Sequence, residues 1–477
     1  WVKNSIFYQI FPDRFAKSEK VIKPTNIETW YSRPTELGFK GGDLLGICEH
    51  LDYLEDLGVN AIYLNPIFQS TMNHRYGISD YYRIDPLLGS NQTFKYLIKT
   101  AKKRGFKIIL DGVFNHTGRS FFQFQSILDS EFDSPFIDWY YIKWFPVNAY
   151  NFEKELNYRA FYDRRGLPKL NLENPTVAEY IYKVAEFWTK QGIDGWRLDA
   201  PGEVEGKSFW QQFRKRIKAV NRDAYLVGEI WDDGAEWLKG DIFDGTTNYA
   251  LLRACLGFFG KGNINFDLAG IIGGVRELSA SDFSHEINRI LELYSINDNL
   301  QLNFLSNHDI ARYISVCNND INSVKLSILF QMTFPGIPII YYGDEVGMEG
   351  GSEPDCRRAF SWDHTDWNHE ILDYYKKCIQ LRKQYQAIRE GKYIAIESEN
   401  NVLLFCRSHS HEHLLMLFNT NNDTKTVELN LKKLNLDSLQ SNMALTCIMG
   451  EYKNIENSES SIRISLLPKS TAVFLIS

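Results

Sequence analysis

The sequence predicts a parallel (β/α)8 barrel, a TIM barrel, with an inserted domain after its third strand and an all-β sandwich at its C-terminal end. Three observations predict it. Short apolar runs alternate with helical patterns from Ser5 to about Tyr385, as strands joined by crossover helices do. Three of those runs end in an acid: Asp199, Glu229 and Asp309. Acids at the C-terminal tips of separate parallel strands mark the catalytic rim of such a barrel. Beyond Tyr385 the pattern changes to short alternating strands with polar turns, which suits a small sandwich.

The elements follow in order. Residues 5–10 make the first strand, closed by Phe11-Pro12-Asp13. Ala16 to Phe39, with two prolines and mixed charges, reads as a surface excursion. Gly41-Gly42-Asp43 opens a helix with Ile47, Leu51, Leu54 and Leu57 at helical spacing. Gly58 ends it, and Ala61–Leu64 is the second strand. A helix around Thr93–Lys103 leads to the third, Lys107–Asp111. No βα unit appears between Thr117 and Asn171, and fifteen of the forty-two residues from Phe121 to Tyr162 are aromatic, against 14% for the chain. That density suits the core of an inserted domain, which at this place borders the barrel mouth.

Asn174-Pro175 starts a helix with Pro in its first turn, and Val177, Ile181, Val184 and Trp188 share one face. It feeds the strand that ends in Arg197-Leu198-Asp199. With a period of two, Arg197 and Asp199 point the same way. Alone the pair reads as a buried ion pair, and the two other acid-tipped strands decide for a site. A helix with Phe209, Phe213, Ile217 and Val220 precedes the strand that runs into Glu229. Ile242–Asp244 is a weaker sixth strand, Gly257–Gly274 a loop, and His285–Tyr294 a helix before the strand Gln301–His308. Ser323–Phe334 is helical, Pro338–Tyr342 is the eighth strand, and Ile371–Leu381 the last helix. The sandwich strands are Val402–Cys406, Leu414–Phe418, Thr426–Leu431, Ser461–Ser465 and Thr471–Ile476. The division is then a barrel over 1–116 and 172–385, an inserted domain over 117–171, and a sandwich over 386–477.

Composition narrows the function. A chain of 477 residues is too long for one ordinary domain. A net charge of −7 argues against nucleic acid or an anionic membrane as partner. Seven scattered cysteines without a C-x-x-C pair exclude a zinc ribbon and argue against a disulfide framework. They point to a reducing, cytoplasmic compartment. No apolar run reaches the length of a membrane span. No secretory leader is read, and a start at Trp1 leaves room for one removed.

Two carboxylates close together at a barrel mouth suit glycoside hydrolysis, one attacking the sugar carbon and the other protonating the leaving oxygen. Asp309 would raise the proton affinity of a neighbouring glutamic acid. Arg197 would keep Asp199 ionised and oriented.

Asp111-Gly-Val-Phe-Asn115-His116, Gly195-Trp-Arg197-Leu-Asp199, Glu229-Ile-Trp231 and Asn307-His308-Asp309 resemble, in order, the four signature regions of the α-amylase superfamily of glycoside hydrolases. Gly58–Pro66 and Gly336–Glu345 extend the resemblance over nearly the whole barrel. It implies Asp199 as nucleophile, Glu229 as acid/base and Asp309 as the acid that grips the sugar hydroxyls. It implies His116, His308 and Trp231 as further substrate contacts, and Tyr76 as the tyrosine that stacks on the ring. The aromatic stretch 121–162 would then also wall the sugar rings.

Leu167-Pro168-Lys169-Leu170-Asn171 is similar to the tag of neopullulanases, cyclomaltodextrinases and maltogenic amylases, and Glu203 matches their glutamate four beyond the nucleophile. Asp355-Cys356-Arg357-Arg358 resembles their glucose-binding loop, with Asp355 and Arg358 as contacts and a salt bridge without ligand as the competing reading. Three departures stand out. Such enzymes usually carry an extra N-terminal β-domain, whereas this sequence opens at the first barrel strand. Asp232 stands where a His often follows Glu-Ile-Trp. The loop after Phe15 offers Lys17, Ser18, Glu19 and Lys20 where calcium-binding relatives have Asn and Asp. No metal and no cofactor is therefore expected.

The reading is a retaining α-glucan hydrolase acting on maltodextrins, cyclodextrins or pullulan, with glycosyl transfer as a side reaction. The alternatives are an α-glucosidase or a sucrose/trehalose-type isomerase on the same barrel, and a non-catalytic carbohydrate-binding or chaperone relative. The retained acids disfavour the last. α-Glucan oligosaccharides are the expected partners, with the oligomeric state open.

Overall fold

The computed structural model describes residues 1–295, 300–396, 400–429, 444–457 and 461–476. Eight parallel strands alternate with helices along the chain, followed by antiparallel sheets, which is the predicted (β/α)8 class with its C-terminal β region. Contacts divide the chain into two compact units. One holds Phe7–Thr247 and Arg357–Trp362, the other Trp1–Ile6, Asn248–Cys356 and Asp363–Ser477.

The first unit contains six parallel strands: β1 (Phe7–Ile10), β2 (Ala61–Leu64), β3 (Lys107–Gly112), β4 (Gly195–Leu198), β5 (Tyr225–Gly228) and β6 (Gly245–Thr246). They pair in sequence order, with Asp111 of β3 beside Arg197 of β4. Every residue of β1, β2, β4 and β5 is buried, as strands covered on both faces must be. Helix α1 (Pro175–Lys190) starts where expected: Asn174 accepts the Thr176 N–H, Pro175 opens the first turn, and Val177, Ile181, Val184 and Trp188 are buried. Gly195 is required by packing, because a Cβ there would meet the Tyr225 carbonyl oxygen of β5 at 2.1 Å.

Two expectations in this unit are corrected. The helix after Asp43 is broken at His50 into Leu44–Glu49 and Leu51–Leu57. The sixth strand is Gly245–Thr246, not Ile242–Asp244. Phe243 instead stacks on Trp237, and the Asp244 carboxylate accepts the Leu226 N–H at 2.9 Å, so these residues cap the strand edge. Residues 117–171 add no strand to the sheet. They hold one α-helix, Phe122–Ser130, three short 3-10 turns, and bridges such as Tyr140 to Leu170 and Ile142 to Tyr158.

The second unit carries the parallel pair β7 (Leu302–Asn303) and β8 (Ile337–Tyr341). The expected strand through His308 is thus two residues long. Ser306 accepts the Tyr313 N–H and Asn307 the Asp309 N–H, so side chains turn the backbone away from the ladder. The expected loop Gly257–Gly274 begins inside a helix, α2 (Tyr249–Phe259). Gly257 sits there because a side chain would strike the Arg276 carbonyl at 2.3 Å, so close packing outweighs its poor helix propensity. Helices α3 (Ile321–Thr333) and α4 (His369–Gln384) match their predicted places.

The C-terminal strands are β9 (Lys392–Ile396), β10 (Val402–His409), β11 (Glu412–Asn419), β12 (Lys425–Leu429), β13 (Leu445–Gly450), β14 (Asn454–Asn457), β15 (Ile462–Leu466) and β16 (Ser470–Ile476). They form a five-stranded sheet, β9-β10-β11-β16-β13, and a three-stranded one, β12-β15-β14. Val402, Leu404, Leu415, Leu417, Val427 and Ile464 share the core between them. Phe405 and Phe418 turn the other way onto Phe330 of α3, which is why β10 and β11 read as continuous apolar runs. Strands β9, β13 and β14 were not anticipated; they are short and largely solvent-facing, with little apolar signal. The last two residues of the expected strand Thr426–Leu431 lie outside the described residues. Among the described residues no helix is long and apolar enough to cross a membrane.

Candidate active site

In the first unit the C-terminal tips of β3, β4 and β5 converge on one guanidinium. Arg197 Nη1 donates to Asp199 Oδ1 at 2.9 Å and to Asp111 Oδ1 at 2.8 Å, while Nη2 pairs with Glu229 Oε1 at 2.8 Å. Arg197 is 3% exposed. Burial opposes its charge, but Asp111 and Glu229 overcome that penalty and hold it firmly cationic. The buried ion pair read from the sequence is therefore present, and it joins Asp199 to Glu229 and Asp111.

Asp111 is the member that sequence reasoning left out. Its Oδ2 accepts the phenols of Tyr63 at 2.6 Å and Tyr76 at 2.8 Å. Burial raises its pKa, opposed by Arg197 and the two phenols. Asn65 donates to the Tyr76 hydroxyl at 3.1 Å and is itself fixed by Gln9 at 2.9 Å. Tyr76 is thereby held by its hydroxyl. The signal was available, because Asp111 ends the third strand as Asp199 follows the fourth.

Glu229 receives the Ala200 N–H on Oε2 at 3.0 Å and the Trp231 indole N–H on Oε1 at 3.2 Å. Ala200, directly after Asp199, adopts a left-handed backbone (φ 39, ψ 50), a strained state for a residue with a Cβ. That turn presents its N–H to Glu229. Asp199 and Glu229 are thus fixed to each other through Arg197 and through the Ala200 peptide.

His116 is fully buried, and Phe161 stacks on it at 4.6 Å between centroids. Burial pushes its pKa down to about 3, so the ring is neutral. Its Nε2 has no hydrogen-bond partner among the described residues. The adjoining Tyr162 was also missed by sequence reasoning: it is 72% exposed, with φ 45 and ψ 41. Burial raises the pKa of its hydroxyl, and the charges of Glu203, Glu229 and Asp199 add to the rise. Nothing but aromatic density in 121–162 hinted at it. Glu203 is exposed.

In the second unit Asn307, His308 and Asp309 are joined locally. His308 Nε2 lies 3.2 Å from Asp309 Oδ2, and the Asn307 amide donates to the Tyr249 hydroxyl at 2.9 Å. His308 is 2% exposed, and its carbonyl accepts the Cys356 thiol at 3.4 Å. Asp355 accepts the Gly351 N–H at 2.8 Å. Arg358 is half-buried in the first unit.

The family resemblance would put calcium in the loop after Phe15 and at Asn115 with the position four beyond Asp199, and both places hold ammonium groups. In the loop after Phe15, Lys23 Nζ lies 3.1 Å from Asp43 Oδ2, and the two Asp43 oxygens also accept the Ser18 and Gly46 N–H groups. The cation there is Lys23, not Lys17 or Lys20; Lys20 pairs with Glu49. At the second place Lys169 donates to the Glu203 carbonyl and pairs with Glu205 at 2.9 Å. These donor sets do not fit a divalent ion. Among the described residues no group of three or more His, Cys, Asp or Glu side chains is arranged to hold a metal.

Comparison with known proteins shows what the chain is similar to. The family model for the alpha amylase catalytic domain matches residues 9–368. A cyclomaltodextrinase of Geobacillus thermopakistaniensis is 41% identical over 90% of this chain and 71% of its own length. Neopullulanase 2 of Thermoactinomyces vulgaris is 38% identical over 98% of this chain and 77% of its own. A solved structure of the Nostoc punctiforme debranching enzyme superposes with a TM-score of 0.91 at 40% identity, covering 99% of this chain and 98% of that one.

Proposed function

The chain belongs to the alpha-amylase family of glycoside hydrolases, and from that premise we propose that it hydrolyses α-glucosidic bonds in maltodextrins, cyclodextrins or pullulan with retention of configuration. The observation that carries the proposal is the guanidinium of Arg197, which gathers Asp199, Glu229 and Asp111 at three adjacent strand tips. One cation shared by the first two would favour the short carboxyl spacing that retention needs, about 5–5.5 Å.

In the proposed cycle Asp199 attacks the anomeric carbon as Glu229 hands its proton to the leaving glycosidic oxygen. The bond to the departing sugar breaks and a glycosyl ester on Asp199 forms. Glu229, now a carboxylate, takes a proton from water, whose oxygen displaces Asp199. A sugar hydroxyl in place of that water gives transfer. Asp309 would grip the hydroxyls of the reacting sugar. Tyr76, His116, His308, Trp231, Glu203, Asp355 and Arg358 would supply further substrate contacts.

The domain division into barrel (1–116, 172–385), inserted domain (117–171) and sandwich (386–477) belongs to the same reading, supported by the absence of sheet strands from 117–171. So does a cytoplasmic location, supported by seven free cysteines and by a relative named intracellular maltogenic amylase.

Product analysis on starch, pullulan and β-cyclodextrin, with NMR of the first-formed product, tests the proposal. Maltose-sized products and initial α-anomer are expected. Initial β-anomer, or no reducing sugar from any of the three, overturns it.

A further inference from the structure

The second unit contains a basic cluster that the proposed reaction does not use. Arg382 of α4 and Arg407 of β10 are each 1% exposed. Arg382 donates to the carbonyls of Met332 at 2.8 Å and Gly336 at 2.6 Å. Arg407 donates to the Gly391 carbonyl at 2.8 Å and to that of Thr333. Met332 and Thr333 close α3, whose dipole offsets part of a positive charge. It does not offset two. Arg389 adds a third guanidinium, donating to the Arg382 carbonyl at 2.8 Å. Among the described residues neither Arg382 nor Arg407 has a carboxylate partner. Burial, with Arg407 and Arg389 nearby, pushes Arg382 down to about 9, and burial does the same to Arg407. Buried cations without a counter-ion are costly, so the arrangement calls for an anion.

A cavity of about 400 Å³ opens beside this cluster, with Arg407, Arg389, Lys3 and Lys392 in its wall and Arg382 behind it. The one acid in that wall, Glu390, is engaged by the Gln386 amide at 2.8 Å. Arg407 Nε is buried with no hydrogen-bond partner among the described residues. We propose that this cavity binds a phosphate-bearing small molecule, with Arg389, Lys3 and Lys392 facing the phosphate and the buried charge of Arg407 behind them. A dianion matches a wall with four cations and one acid, and guanidinium suits phosphate oxygens. The volume falls in the range of small-molecule sites and leaves room for a sugar beside the phosphate.

Titration calorimetry and melting temperature of the full chain test this with inorganic phosphate, glucose 1-phosphate and glucose, against potassium chloride at matched ionic strength. Both phosphates should bind and raise the melting temperature, while glucose and chloride should not. Tighter binding of glucose 1-phosphate would identify a sugar phosphate as the natural ligand; equal binding would identify free phosphate. Exchanging two lysines of the wall, Lys3→Gln with Lys392→Gln, should weaken phosphate binding at least tenfold with an unchanged circular dichroism spectrum. No phosphate effect beyond that of chloride, or an unchanged Kd in the double variant, overturns the proposal.

Discussion

Arg197 and Asp199 lie two residues apart on one strand, and the guanidinium of the first donates to the carboxylate of the second at 2.9 Å. The same guanidinium holds Asp111 and Glu229. Arg197→Met would leave three carboxylates facing one another without their cation. Removing one partner of a buried charge pair costs about 3–5 kcal/mol. Urea denaturation should show a loss of that size, and adding Asp111→Asn to the variant should recover part of it.

Asp199→Asn removes the attacking charge and Glu229→Gln the transferable proton, each with little change of shape. Each should lower kcat on maltodextrin by at least ~10³ with little change in melting temperature. Near-normal turnover of either variant would refute its assigned role.

His116 gives the stability a pH dependence. Its pKa falls from the ordinary 6.5 to about 3 in the folded chain because burial disfavours the charged ring. Above the unfolded value the ring is neutral in both states, and its full stability is present. As the pH drops below 6.5 the unfolded chain takes up a proton that the folded chain refuses, so stability is lost progressively toward pH 3. By pH 5 the loss from this one ring is roughly 2 kcal/mol. His116→Gln should shrink the difference between denaturation curves at pH 7 and pH 5 by that amount.

Tyr162 stands exposed on a left-handed backbone, and the charges of Glu203, Glu229 and Asp199 act on its hydroxyl. A ring so placed offers its face to a sugar at the edge of the site. Tyr162→Ala should raise KM for maltodextrin about two- to tenfold, the worth of one aromatic contact, and leave melting temperature unchanged or higher. An unchanged KM would remove Tyr162 from the substrate path.

Lys23 and Lys169 stand where divalent ions would otherwise be expected. Excess EDTA followed by desalting should therefore leave activity and melting temperature unchanged. Lys169→Met should lower the melting temperature by itself, since it leaves the Glu203 carbonyl and Glu205 without their ammonium partner. A drop with EDTA that calcium but not magnesium reverses would contradict the assignment.

The order of strands and helices, the acids that follow the fourth and fifth strands and the family resemblance were legible because each rests on local pattern. A strand buried on both faces must be apolar, so a charge at its end is conspicuous in a one-dimensional string. Arg197 and Asp199 could be placed on one face from their spacing alone. The boundaries that failed were those where a side chain competes with the ladder: Asp244 capping β5, and Ser306 with Asn307 turning the chain after β7. Gly257 misled because its purpose is a contact with Arg276, nineteen positions away in sequence.

What only the tertiary structure decided are relations between residues far apart in the chain. That one guanidinium serves Asp111, Asp199 and Glu229 depends on the pairing of three strands. That Lys23 rather than Lys17 or Lys20 meets Asp43 depends on the path of a loop with no repeating pattern. The same holds for Phe161 covering His116, and for Arg382 and Arg407 meeting at the end of α3. Electrostatic and stacking contacts act across space over a few ångströms. Sequence periodicity reports only which face a side chain takes, so it marks such residues as buried or exposed and leaves their partners to the fold.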